Sequence, residues 1–262
     1  MLRFISLGSG SRGNATLIEA GDTRVLLDCG YSARELTERL ARVGVDAASL
    51  DAILVTHEHG DHIRGVGALS RRFRIPVWMT RGTSLAGDCG ELTDLTLFHS
   101  DSEPFAIGAL NVHPVAVPHD AREPCQYVFS SKGLRLGILT DTGCITPHIA
   151  HAYQRLDALL LECNHDLRML AEGPYPPSLQ RRVGGDHGHL NNRQAAALLE
   201  QMDRDRLQHL VVGHISEKNN HHSIASDTLL GVDADLENRL TLLYQDRASE
   251  WFEVTAEAEI EA

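Results

Sequence analysis

The stretch Thr56-His57-Glu58-His59-Gly60-Asp61-His62 constrains this chain more than any other. It follows the apolar run Ala52-Ile53-Leu54-Val55 and reads as a strand that ends in a tight loop. His57 and His59 sit two apart, so in an extended loop they point to the same side. Gly60 lets the chain turn, so that Asp61 and His62 face a second position nearby. Imidazole and carboxylate donors in that layout suit two adjacent divalent cations.

This heptapeptide, with the strand before it, resembles the signature of the metallo-β-lactamase fold superfamily. The resemblance implies an α/β chain folded as an αββα sandwich. The pattern along the sequence agrees, with two β-rich halves that each carry helices. A single domain over residues 1–254 is expected, followed by an acidic, Ala-rich tail (255–262) that reads as frayed. Cys29, Cys89, Cys125, Cys144 and Cys163 are odd in number and include no C-x-x-C, which reads as free thiols in a reducing cytoplasm. No apolar run approaches the length that spans a bilayer, and the N-terminal Met1–Leu7 is too short for a signal peptide. Membrane association is therefore not expected.

In chain order, Leu2–Leu7 reads as a strand, and Gly8-Ser9-Gly10-Ser11-Arg12-Gly13-Asn14 as a polar loop. Its backbone N–H groups suit a phosphate, though it lacks the Lys of a P-loop. Ala15–Glu19 and Arg24–Asp28 form a hairpin about Gly21-Asp22. Ser32–Val43 reads as a helix, with a Ser32/Glu35 capping box and Leu36, Leu40 and Val43 on one face. A helix is predicted from His62 to Phe73 and a strand over Ile75–Met79. Short strands fill 88–117, and His99 and His113 fall outside any motif. Leu134–Thr140, Leu156–Cys163 and Leu207–Gly213 read as apolar strands. Pro174–Pro177 and the residues up to Arg182 read as an irregular segment overhanging the site. Arg193–Met202 reads as a helix with an Asn cap. His221 and His222 read as solvated, and 239–244 and 250–254 as closing strands.

The superfamily resemblance assigns roles along these elements. His57, His59 and His119 would hold one ion, and Asp61, His62 and His214 the other. Asp141, at a strand end before a Gly-containing turn, would bridge them. Asp28 would support the ligand loop from behind. Glu162 closes an apolar strand and needs a partner there, and His189 precedes a helix. In the tRNA 3′-processing endonucleases of the superfamily, such a pair assists the leaving oxygen. The catalytic set is thus Asp61, Glu162 and His189. The cofactors implied are two divalent ions, zinc or manganese.

Further segments are similar to the YycJ/WalJ-like exonuclease group. They are Gly8–Asn14, Glu162-Cys163-Asn164-His165-Asp166, Gly173-Pro174-Tyr175-Pro176, Gly188-His189-Leu190 and His214–Asn220. This likeness implies a 5′-to-3′ exonuclease on duplex DNA with a part in DNA repair. Candidate substrate contacts are Ser9, Ser11, Arg12, Asn14, His165, Arg168, Arg181, Arg182 and Asn219. The net charge of −12 argues against nucleic-acid binding through bulk charge, but bound divalent ions reverse the field in a cleft. The acidic balance keeps an alternative open, a hydrolase of a cyclic phosphodiester, thioester or lactone.

Overall fold

The computed structural model describes residues 1–92 and 94–256. Strands β1 (Leu2–Gly8), β2 (Ala15–Ala20) and β3 (Thr23–Leu27) pair antiparallel, and Gly21 makes the β2–β3 turn at φ 59°. Helix α1 (Ala33–Arg42) leads to β4 (Ala52–Leu54). Next come α2 (Gly60–Ile63), α3 (Val66–Phe73), β5 (Val77–Thr80), α4 (Arg81–Ala86) and β6 (Leu95–Phe98). From β3 to β6 the neighbouring strands run parallel.

The second half repeats that plan. Strands β7 (Phe105–Ile107), β8 (Leu110–Ala116), β9 (Cys125–Ser131) and β10 (Leu134–Leu139) are antiparallel. Helix α5 (Pro147–Ala152) precedes β11 (Ala158–Glu162), and α6 (Leu167–Glu172), α7 (Pro177–Val183) and α8 (Asn192–Gln201) precede β12 (His209–Gly213). Helix α9 (His222–Leu230) leads to β13 (Leu240–Leu242), and β10 to β13 are parallel. Finally β14 (Phe252–Val254) returns to pair with β1. The sheet orders are β14-β1-β2-β3-β4-β5-β6 and β13-β12-β11-β10-β9-β8-β7.

Alternation along each strand decides the layers. Leu2, Phe4, Ile18, Val25 and Leu27 of the first sheet meet Phe129, Leu136, Ile138, Leu160 and Val211 of the second. The opposite face of the first sheet buries Ile5, Leu7, Leu17 and Leu26 with Leu36, Leu40 and Leu69 of α1 and α3. The second sheet buries Leu139, Leu159 and Leu161 with Ile149, Leu198 and Leu199 of α5 and α8. Both sheets are thus covered on both faces, which is why their central strands read as unbroken apolar runs. The result is the expected αββα sandwich.

The strands β1, β3 and β4 share one direction, as do β8, β10, β11 and β12. Their carboxyl ends carry Ser9, Asp28, His57, His119, Asp141, Glu162 and His214, the position where open α/β sheets place ligands. Asp28, Asp141 and His214 each follow a strand with left-handed backbone, at φ 61°, 50° and 50°. A non-glycine residue there costs on the order of 1–3 kcal/mol and persists where its surroundings enforce it.

Several expectations need correcting. The helix predicted over His62–Phe73 is two helices, broken at Arg64-Gly65. Gly65 N–H donates to the Cys29 carbonyl (2.8 Å), and a Cβ at Gly65 would collide with the Tyr31 carbonyl and Cys29 Sγ. The Pro-rich segment is partly regular. Pro177 opens α7 at the first helical position, where its missing N–H costs nothing. In the α1 capping box only Ser32 takes part, because Glu35 turns to Arg39 (3.0 Å). His222 is half-buried, stacked on Tyr244 with ring centroids 4.5 Å apart. Helices α4, α5, α6 and α9 and strand β9 were not legible. Thr255 and Ala256 carry no helix or strand, and residues 257–262 of the expected tail lie outside the described residues. No described helix is long and apolar enough to cross a membrane.

Candidate metal centre and its cavity

The loops at those strand ends converge on one histidine and carboxylate cluster, organised from behind by Asp28. Its Oδ2 accepts from His62 Nδ1–H (2.8 Å) and from the Thr56 hydroxyl (2.9 Å). The Thr56 oxygen in turn accepts from His57 Nδ1–H (2.9 Å). One buried carboxylate therefore fixes the tautomer of two imidazoles and leaves Nε2 of each facing the cluster. His119 is fixed in the same way, by Nδ1–H donation to the Gly188 carbonyl (2.9 Å). Its Nε2 then lies 3.2 Å from His59 Nδ1.

Candidate donor atoms of His57, His59 and His119 all lie within 4.8 Å of one another, and so do those of Asp61, His62 and His214. Asp141 lies near both groups, with Oδ2 3.3 Å from His62 Nε2 and Oδ1 3.1 Å from His214 Nδ1. His57 Nε2 and Asp141 Oδ2 are buried with no hydrogen-bond partner among the described residues. Buried polar atoms left unpaired are costly. A divalent cation fits both, so the cluster is chemically suited to bind one.

Glu162 is wholly buried and fully engaged. Its Oε1 accepts from His189 Nδ1–H (2.8 Å) and His214 Nδ1–H (2.9 Å), and its Oε2 from Leu190 N–H (3.0 Å). Burial pushes the Glu162 carboxyl up, but His189 and His214 outweigh it and bring it down to about 2. Burial likewise opposes charge on Asp141, yet His214 and His62 hold it well below the usual carboxylate range. Burial pushes His57 well below the usual histidine range. It opposes charge on His62 too, but the carboxylates of Asp141, Asp28 and Asp61 win and hold His62 well above that range. His214 is likewise held up, against burial, by Asp141 and Glu162.

Above the cluster lies a cavity of about 360 Å³. Among the expected residues, His59, Asp61, Asp141, His189, His214, Ser11 and Arg182 line it. The other candidate contacts do not. Ser9 is buried and accepts from His214 N–H (2.9 Å), and Asn14 is buried beside Asp61 and His62 (3.4 and 3.1 Å). His165 and Asn219 are wholly buried, and burial pushes His165 down to about 4. Arg12 pairs with Glu217 (2.9 Å) in a neighbouring groove, and Arg168 pairs with Glu172 (3.0 Å) outside the cavity. Arg181 is exposed and does not line it. Sequence reasoning missed Asp120 and Asn164 as lining residues, whereas the segment expected to overhang the site supplies Tyr175 and Arg182 to it. Asp120 pairs with Arg182 and lies 3.5 Å from His119 Nε2. Its signal was its place directly after a strand-end histidine.

A fold of this kind with a buried histidine and carboxylate cluster under an open cavity defines a metal-dependent hydrolase. The family described as beta-lactamase superfamily domain matches residues 23–215. The exodeoxyribonuclease YycJ of Bacillus anthracis is 33% identical over 227 residues, covering 86% of each chain. The exodeoxyribonuclease WalJ of Streptococcus pneumoniae is 32% identical over 241 residues, covering 89% of this chain and 90% of that one. The solved structure of the metallo-beta-lactamase fold protein YhfI from Bacillus subtilis superimposes with a TM-score of 0.72 at 17% identity, covering 95% and 98% of the two chains. The chain belongs to the metallo-β-lactamase fold superfamily, in its YycJ/WalJ exonuclease group.

Proposed function

We propose that this chain is a two-metal phosphodiesterase that degrades duplex DNA from the 5′ end, with a role in DNA repair. His57, His59 and His119 would hold one ion, Asp61, His62 and His214 the other, with Asp141 between them. The donor set suits zinc or manganese. When bound, such ions activate a water and neutralise phosphate charge.

The observation that carries the reading is the tether of Glu162 to His189. Because Nδ1–H of His189 is given to Glu162 (2.8 Å), Nε2 is the nitrogen left for the cavity that His189 lines. Burial disfavours a charged His189, but Glu162 outweighs it and raises the imidazole above its usual range. A protonated, oriented imidazole is suited to give its proton to a departing 3′-oxygen. Asp61 lines the cavity with its side chain 22% exposed, against 2% for Asp141, and is the proposed ligand carboxylate better placed to orient an attacking water. The names of the two curated relatives support DNA as the polymer.

The test is digestion of end-labelled duplex DNA with Mn²⁺ or Zn²⁺, with and without a 5′-phosphate, beside single-stranded DNA and RNA. Stepwise loss from the 5′ end, absent in His59→Ala, is the expected result. The limited cavity and the charge of −12 favour a second reading, a small-phosphodiester hydrolase. Hydrolysis of a small phosphodiester with no polymer cleaved would establish that one instead.

A further inference from the structure

The cavity has two kinds of lining. The buried cluster and the Asp120–Arg182 pair carry its charge, and the end of the Pro-rich stretch with α7, besides Arg182, supplies Tyr175, Leu179 and Val183. Leu179 and Val183 are one helical turn apart and share a face of α7. Tyr175 is half-buried, and the Lys218 ammonium lies 5.8 Å from its ring centroid. An aromatic ring, two aliphatic side chains and a cation beside the ring suit the π-face of a nucleobase. Neither water activation nor proton transfer uses these three side chains.

Size and depth then limit what can enter. His57, His62, Asp141 and His214 are all at most 3% exposed, so a phosphodiester must descend to reach them. The nucleotide on its 5′ side descends with it. A space of about 360 Å³ is at the small end of ligand pockets and suits one nucleotide. A base still paired would bring in a second nucleotide of similar size.

Resting on the exonuclease reading above, we propose that the cavity takes the terminal nucleotide unpaired, with its base against Tyr175. The strand end must therefore fray before each cut. Unpairing costs a few kcal/mol and costs least at a mismatch, so the terminal base pair sets the rate.

Single-turnover release of the first nucleotide tests this on four ends differing only there: a G·C pair, an A·T pair, a mismatch and a short 5′ single-stranded overhang. The rate should rise in that order, with the mismatch about tenfold faster than G·C. A second arm compares normal and abasic terminal residues on the overhang. Removing the base should slow the unsubstituted protein about tenfold, but slow Tyr175→Ala no further, while Tyr175→Phe behaves like the parent. Equal rates at all four ends overturn this inference and leave the exonuclease reading standing. Cleavage of none overturns both. A Tyr175→Ala loss that is the same with and without the base assigns Tyr175 to structure and overturns the stacking.

Discussion

Asp28 touches no part of the cavity, yet it fixes two of the proposed ligands, His62 directly and His57 through Thr56. Asp28→Ala should weaken metal binding about 10- to 100-fold, the usual cost of losing such support. Competition against a chelator measures it, and an unchanged affinity would remove Asp28 from the centre. His189→Ala should divide the properties differently, keeping the metal content while the rate falls by about a hundredfold. Metal analysis beside turnover checks this, and full activity would withdraw the leaving-group role. The ligand loop was legible because four donors crowd one heptapeptide with regular spacing. Ser9, Asn14, His165 and Asn219 do not line the cavity, for a physical reason. Ser9 and Asn14 stand beside glycines, and His165 and Asn219 stand in polar runs, which look like solvent-facing loop. Their burial is decided by distant segments, as when Ser9 caps the backbone of His214.

Between the elements, close backbone contact sets the geometry. Gly30 follows β3, and a Cβ there would run into the backbone of Asp61. Asn14 N–H already donates to that Asp61 carbonyl (2.8 Å), so the first loop, the β3 end and the ligand loop lock one another. Gly30→Ala should displace Asp61, lower the melting temperature by the equivalent of about 1–3 kcal/mol, and weaken metal retention. A thermal melt and metal titration read both effects, and a variant that kept parental values in both would show that the loops move freely. This lock was invisible in the sequence, where Gly30 reads only as a turn after a strand. The break at Gly65 was missed likewise, because apolar periodicity continues across it. Strands β10, β11 and β12 were legible because a sheet buried on both faces writes itself as an uninterrupted apolar run. The short helices were not, since a six-residue helix such as α5 or α6 carries too few turns to show a period.

Over the whole molecule, two packed sheets bring several carboxylates and histidines into a space screened from water. Without a cation, protonated His62, His189 and His214 balance Asp61, Asp141 and Glu162, whose carboxyls stay below their usual range although burial pushes each of them up. A histidine raised in the folded state contributes stability that is fully present below its unfolded value, about 6.5. That contribution is lost as pH rises through the higher folded value. The metal-free protein should therefore lose melting temperature as pH climbs above about 6.5. The metal-loaded protein should hold it, since the cation replaces the imidazole protons as the source of positive charge. The same exchange means that metal uptake near neutral pH releases protons, and that apparent affinity falls as the solution is acidified. Paired melts with and without chelator across the neutral to alkaline range, and calorimetry in buffers of different ionisation enthalpy, measure the two consequences. A chelated protein that gains stability with rising pH, or binding heats independent of buffer, would mean that the two halves of the sandwich are held at this edge by something other than the charge balance of His62 and His214.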